Sequence, residues 1–341
     1  MKPTHPVAII GGGPAGLQAA SVLIESGLSV SLFEAKDDWA INLRNKHQIF
    51  PDFSMAEDLY NLLTSKIDRS SVTKYLNTEI VHLSKVKDYW ILKDANENEY
   101  LTSAVLLSTG HDVFDATRKE EFGYGIYEGV ITSLQLEELL QTQQINTMFQ
   151  EKPRRIVFLQ CVGSRDEKTG NHYCSKICCV TAVKQAIEVK KIAPQAEVFI
   201  FYMDLRMWGQ HFEEMYRDSQ EQYNIRYVRG RISEASSTFD GRIQIKAEDT
   251  LIGQPLKITT DLLVLMVGME PSEGTKNLVK SCKIGGDYGF ALSKGYHLLD
   301  NLTNQAGLFL AGSCKRPMSI RETITDARSA SLEIIKYLHN G

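Results

Sequence analysis

The chain has little excess charge of either sign. Its 341 residues carry 38 Lys and Arg against 42 Asp and Glu, a net charge of −4. No basic footprint points to nucleic acid. No apolar run approaches the roughly 20 residues of a membrane span. Residues 7–24 are apolar, but a glycine run and Pro14 break them into strand, turn and helix. The opening MKPTHPVAIIGGG enters a strand almost at once, which leaves no room for a signal peptide. There is no internal repeat, no low-complexity tract and no C-x-x-C pair. The expectation is a cytoplasmic protein without direct membrane insertion and without a nucleic-acid partner. The length allows two domains with real cores.

Cysteine is scarce, six residues in all, yet four fall within 19 positions. They are Cys161, Cys174, Cys178 and Cys179, in CVGSRDEKTGNHYCSKICC. Four thiolates suit a 4Fe–4S cluster, one per iron. Adjacent Cys178 and Cys179 are poorly placed to bridge each other, but both can reach a cluster if the backbone turns sharply. Zinc is a rival, although its ligands usually pair as C-x2–4-C. A disulfide fits a reducing compartment badly. Buried free thiols are the plain alternative, set against a segment rich in Ser164, Arg165, Asp166, Glu167, Lys168, Asn171 and His172.

The amino-terminal stretch VAIIGGGPAG reads as a buried strand and then Gly11-x-Gly13-x-x-Gly16. Gly11 permits the tight turn, Gly13 lets a diphosphate approach the backbone, and Gly16 lets helix and strand pack closely. Pro14 suits a first helical turn. The helix is expected from about Pro14 to Ser26, its N-terminus facing the diphosphate. The next strand ends on Glu34, placed to accept from ribose hydroxyls.

Two later segments return to this site. One is a strand ending in Ser108-Thr109-Gly110. The other ends in Ala311-Gly312-Ser313 and precedes a helix that Ser319 and Glu322 cap as S-x-x-E. Such returns resemble flavoproteins with two dinucleotide-binding domains, in which the amino-terminal site holds FAD. The expected fold is α/β with two Rossmann-like domains. The FAD domain is discontinuous, residues 1–149 and 281–341; residues 150–280 form the second domain. There RRIVFLQ is a strand, the cysteine segment follows, and a helix starts near Val180 with Cys178 and Cys179 just before it. No second glycine triplet is present, so weak or no nicotinamide binding is expected. Cys282 reads as a buried thiol; Cys314 is placed either to touch the flavin or to pack. His47, His111, His172, His211 and His297 read as surface or packing residues, and no acid, base or nucleophile is assigned.

CVGSRDEKTGNHYCSKICCVTAVKQA, FYMDLRMWGQHFEEMY, VRGR, DLLVLMVGMEP and FLAGSCKRPMSI together resemble the A-type subunit of heterodisulfide reductases. The resemblance implies FAD, a 4Fe–4S cluster, a homodimeric electron-transfer protein, and B- and C-like partner subunits. By the same resemblance Cys161, Cys174, Cys178 and Cys179 ligate the cluster. FAD falls to Gly11, Gly13, Pro14, Ala15, Gly16, Glu34, Ala35, Ile80, Thr109, Gly110, Gly312, Ser313, Met318, Ile320 and Thr323. Two departures stand out. The family's aspartate–cysteine–serine–methionine–cysteine stretch reads here Asp52-Phe53-Ser54-Met55-Ala56. Its proline–lysine–aspartate–isoleucine beside the flavin reads Pro317-Met318-Ser319-Ile320. The chain looks most like the short A-type subunit of heterodisulfide reductase-like complexes that oxidise sulfane sulfur. A quinone-linked relative from sulfate reducers and a zinc-bearing scaffold are the alternatives.

Overall fold

The computed structural model describes residues 4–68, 72–148 and 154–340. In chain order the elements that matter here begin with β1 (Val7–Ile10), α1 (Pro14–Glu25), β2 (Val30–Phe33), β3 (Thr73–Tyr75) and β4 (Ala104–Leu107). Next come β5 (Val130–Thr132), α2 (Ser133–Gln141), β6 (Arg155–Val162), α3 (Cys178–Ile192), β7 (Glu197–Tyr202), β8 (Arg226–Arg229) and β9 (Leu262–Val267). The chain closes with β10 (Leu308–Leu310) and α4 (Ile320–Asn340). Two compact units result. The first comprises residues 1–44, 57–112 and 270–341; the second comprises 45–56 and 113–269.

Unit one is built on a parallel sheet of order β10-β4-β1-β2-β3. Its strands are short and nearly all apolar because both faces are covered. Val7, Ala8, Ile9 and Ile10 are all buried. Helix α4 packs on α1. A three-stranded antiparallel sheet, Ile80–Val86, Tyr89–Asp94 and Glu99–Thr102, lies beside the parallel sheet; in Tyr89–Asp94 buried residues alternate with half-buried ones, as in a half-covered sheet.

Unit two repeats the plan with an unrelated sequence. Its parallel sheet has the order β8-β7-β6-β9-β5, beside an antiparallel sheet of Ile232–Ser237, Ile243–Asp249 and Gln254–Thr260. Helix α3 is enclosed almost all round: Val180, Ala182, Val183, Ala186, Ile187 and Val189 are buried.

The units divide differently from the expected domains. Residues 113–148 go with unit two because β5 adds to β9 in the second sheet. Residues 45–56 go there too, tied to α3, while 270–280 go with unit one. The expected boundary at 149/150 lies outside the described residues. Helix α3 also starts two residues earlier than expected, so Cys178 and Cys179 form its first turn.

Candidate functional site

The turn after β1 follows the chemistry of its glycines. Gly11 has φ +105°, and a Cβ there would meet the Ser108 carbonyl oxygen at 2.4 Å. A Cβ on Gly16 would lie 1.9 Å from the Gly11 oxygen. Gly13 differs: a Cβ on it would meet nothing within 4 Å. That open space lies at the start of α1, where Gly13 is the N-cap and makes no side-chain cap bond. The first-turn N–H groups of α1 therefore point at a cradle that only a glycine keeps clear, which fits a diphosphate.

Glu34 follows β2 directly. Its Oε2 accepts from the Gly12 N–H at 2.7 Å and its Oε1 from Lys36 N–H at 3.0 Å. A carboxylate has about four acceptor sites, so both oxygens retain capacity for ribose hydroxyls. Ala35 is exposed beside it. Ile80 instead lies in the core with Ala8, Phe33 and Val105.

The returning segments meet the same turn. Gly312 has φ +76°, and a Cβ there would stand 3.1 Å from Ala15 Cβ and 3.3 Å from Thr323 Cγ2. Ala15, Gly312 and Thr323 thus converge. Thr109 Oγ1 pairs with Thr275 Oγ1 at 2.6 Å, and Gly110 has φ +74°. Ser313 Oγ pairs with His111 Nδ1 at 2.9 Å, a role for His111 that sequence reading missed. The capping box at Ser319 is formed: Ser319 N–H donates to Glu322 Oε2, and Glu322 N–H to Ser319 Oγ. Met318 is buried just before α4, and Ile320 opens the helix.

A charged network holds this last turn. Buried Lys315 binds Asp300 at 2.9 Å and Asp326 at 2.8 Å, while Arg316 grips both oxygens of Asp300. Asp326 Oδ2 accepts the Gly312 N–H at 2.7 Å. Burial alone would raise the Asp300 carboxyl, but Arg316 and Lys315 outweigh it and bring it down to about 2. Cys314 is fully buried and its thiol donates to the Ala311 and Leu107 carbonyls. Burial pushes that thiol up to about 12.

The cysteine segment in unit two is a built loop. Arg165 N–H donates to Tyr173 O and Asp166 N–H to Asn171 O, closing an antiparallel turn. Asn171 Nδ2 donates to Gly163 O, and Tyr173 OH to Met269 O. Cys161 has φ +60°, a left-handed conformation that is unusual for a side-chain-bearing residue. It lies inside β6, at the register shift between Leu159 and Val162, one residue before the strand ends. Burial pushes the Cys161 thiol up to about 11; Cys179 and Cys174 add to the rise, and Arg165 opposes it. Burial likewise drives Cys178 well up, with Cys161, Cys179 and Cys174 contributing. Burial also raises Cys179. Cys174 Sγ accepts the Lys176 N–H at 3.2 Å. The four thiols share one electrostatic neighbourhood, yet among the described residues no three His, Cys, Asp or Glu side chains form a ready group for a metal ion. The cations of this segment differ in their surroundings. Arg165 pairs with Asp204 at 2.6 Å, Lys176 stacks over Trp208 at 4.1 Å, and Lys168 is exposed.

Gly163 is no second cradle. Its Cβ position, at φ +77°, is filled by the Phe114 ring at 1.9 Å. His47, expected as a surface or packing residue, bonds Glu188 through Nδ1 at 2.7 Å. No described helix is long and apolar enough to cross a membrane.

The open glycine turn, the doubled sheet plan and the returning strand β10 define an FAD-binding oxidoreductase of the two-dinucleotide-domain class. Accordingly, the profile of the pyridine nucleotide-disulphide oxidoreductases matches residues 5–166. Thioredoxin reductase from Lactococcus lactis superposes with a TM-score of 0.70 at 18% identity, over 99% of this chain and 100% of that one. The bacillithiol disulfide reductase of Staphylococcus aureus does so with a TM-score of 0.61 at 13% identity, over 97% and 98%. These two likenesses concern the fold alone. Sequence relatives are more specific. The A-type subunit of the H(2)/formate:CoB-CoM heterodisulfide,ferredoxin reductase of Methanococcus maripaludis is 39% identical over 237 residues, 67% of this chain and 36% of that one. The iron-sulfur A-type subunit of the CoB–CoM heterodisulfide reductase of Methanocaldococcus jannaschii is 39% identical over 238 residues, with the same coverage. The chain belongs to the family of heterodisulfide reductase A-type subunits, and the match spans little more than a third of those relatives' length.

Proposed function

We propose that this chain is the FAD- and 4Fe–4S-carrying electron-transfer component of a cytoplasmic heterodisulfide reductase-like complex. In this reading it works as a homodimer with B- and C-like subunits, which carry the substrate chemistry of sulfane sulfur oxidation. The sulfur assignment rests on the resemblance to the sulfur-oxidiser proteins. Phe53 and Ala56, standing where the family has thiols, distinguish it from the methanogen type.

One observation carries the cluster: Cys161 is held at φ +60° in one neighbourhood with Cys174, Cys178 and Cys179, and burial with mutual charge raises the thiols of Cys161, Cys178 and Cys179. A backbone strained in this way marks a site where geometry serves function. A bound metal deprotonates coordinating thiols outright, so a set of four that repel one another as thiolates suits an iron–sulfur centre. FAD, when bound, supplies a two-electron store, and the cluster a one-electron relay. The residues' own work is binding and orientation. Gly13 and the α1 N-terminus take the diphosphate, and Glu34 takes the ribose. The end of α4 beside Met318 presents N–H groups, which favour negative charge. The loop 161–179 and the first turn of α3 supply four sulfurs from one short segment.

The test is anaerobic purification with iron, acid-labile sulfide, zinc and flavin counted per chain. The expected protein is brown and contains all but zinc. Colourless protein with zinc supports the scaffold reading instead, and a co-purifying membrane cytochrome supports the quinone-linked one. Cys178→Ala is expected to lose the cluster and keep FAD. Full iron content in that variant removes Cys178 from the ligand set.

A further inference from the structure

Buried polar side-chain atoms without a hydrogen-bond partner are few among the described residues: seven atoms in all. Four of the seven belong to Gln160, Ser164 and Arg165, within four positions of Cys161. Gln160 is 5% exposed and Ser164 is 1% exposed. By strand alternation Gln160 follows Ile156 and Phe158, which pack in one core with Cys178, Cys179 and α3. Arg165 is fixed by Asp204 through Nη2 at 2.6 Å, and its guanidinium lies against the Cys161 thiol. Its Nη1 is buried and unpaired. Native interiors leave few such atoms unsatisfied, and each one calls for a cause.

We propose that Gln160 Nε2, Ser164 Oγ and Arg165 Nη1 donate hydrogen bonds to the sulfur atoms of the group held at Cys161. This rests on the cluster reading above. The three are binding residues that touch the ligand sulfur, and their effect falls on the electronics and retention of the group. Thiolate and sulfide sulfurs are acceptors only, and the unpaired set supplies three donors. Donors to cluster sulfur stabilise the more negative, reduced state and so raise the potential. Asp204, by holding Nη2, aims the guanidinium and keeps Nη1 turned inward.

The experiment compares anaerobically purified full-length wild type with Gln160→Leu, Arg165→Gln and Arg165→Lys. It reads iron and sulfide per chain, midpoint potential by EPR-monitored titration, iron loss to a chelator, and melting of the iron-free protein. Full loading with a lower midpoint is expected in Gln160→Leu and Arg165→Gln, with iron lost about three- to tenfold faster. Arg165→Lys is expected to recover part of the shift. Iron-free Gln160→Leu is expected to melt at or above the wild-type temperature, because it removes an amide that has no protein partner. Unchanged midpoint and iron release in loaded Gln160→Leu and Arg165→Gln overturn the donor set, as does a lower melting temperature of iron-free Gln160→Leu. Wild type with flavin but neither iron nor sulfide overturns the cluster reading itself, and the donor set with it.

Discussion

Two glycines three positions apart separate folding from ligand binding. A methyl on Gly16 would sit 1.9 Å from the Gly11 oxygen, so Gly16→Ala must push α1 off β1. A methyl on Gly13 meets nothing within 4 Å, and its φ of −73° is ordinary. Gly13→Ala is therefore expected to keep the melting temperature of flavin-free protein while losing most bound FAD. Gly16→Ala is expected to lose both. Equal melting losses in the two variants would contradict this division. These roles were legible in the sequence because they are local: a turn, a close approach and a helix start lie within six residues. The partner of His47 was not legible, since Glu188 stands 141 positions away and nothing near either residue announces the pair. Nor was the left-handed backbone of Cys161, because that conformation is normally signalled by glycine or asparagine. At Asp300 the chemistry becomes pH-dependent. Its carboxyl is held near 2 against an ordinary 3.8, so its contribution to stability is complete above pH 4 and is lost as pH falls toward 2. Urea midpoints between pH 5 and pH 2 are expected to drop more steeply for wild type than for Asp300→Asn.

At the scale of the element, α3 is the clearest case of a pattern only half readable. Its apolar spacing marked a helix, but Lys184, Gln185 and Glu188 belong on a solvent face by that pattern, and all three are buried. They find partners on α2 and the segment 45–56, although Gln185 Oε1 is left without one. Lys184 bonds Glu137 at 2.5 Å and Glu188 at 2.9 Å, and donates to the Gln48 carbonyl. Gln185 donates to Glu137 and to Ser133 O. Burial would raise Glu137, but Lys184 and Lys46 hold its carboxyl below the ordinary range. Removing one partner of a buried pair strands the others. Lys184→Met is expected to cost about 3–5 kcal/mol of stability, measured by denaturant unfolding of unit two's signal. A loss under about 1 kcal/mol would show that Glu137 and Glu188 find other donors. The helix start was misread by two residues because Cys178 and Cys179 carry no capping signal, and the N-cap Ile177 makes no side-chain bond.

Across the whole molecule, one sheet plan occurs twice, and the two turns after its central strands have diverged. In unit one the space at Gly13 is open; in unit two Phe114 fills the position at Gly163. NADH or NADPH added without air is expected to leave the flavin absorbance unchanged over minutes. Prompt stoichiometric bleaching would show a nicotinamide site elsewhere. The duplicated plan was legible as two Rossmann-like domains, but the copies share geometry and not residues: β1 is followed by Gly11, Gly12 and Gly13, and β6 ends on Cys161 and Val162 before Gly163.

The aromatic plug has an evolutionary corollary. Phe114 is itself clamped, with the Arg118 guanidinium 4.5 Å above its ring. A mutation that trades Cys161 for glycine would still find the doorway shut, and one that trims Phe114 would open a hole without a guest. Descendants seeking to draw electrons from a soluble pyridine carrier must therefore change both positions, since either change alone leaves that doorway shut or empty.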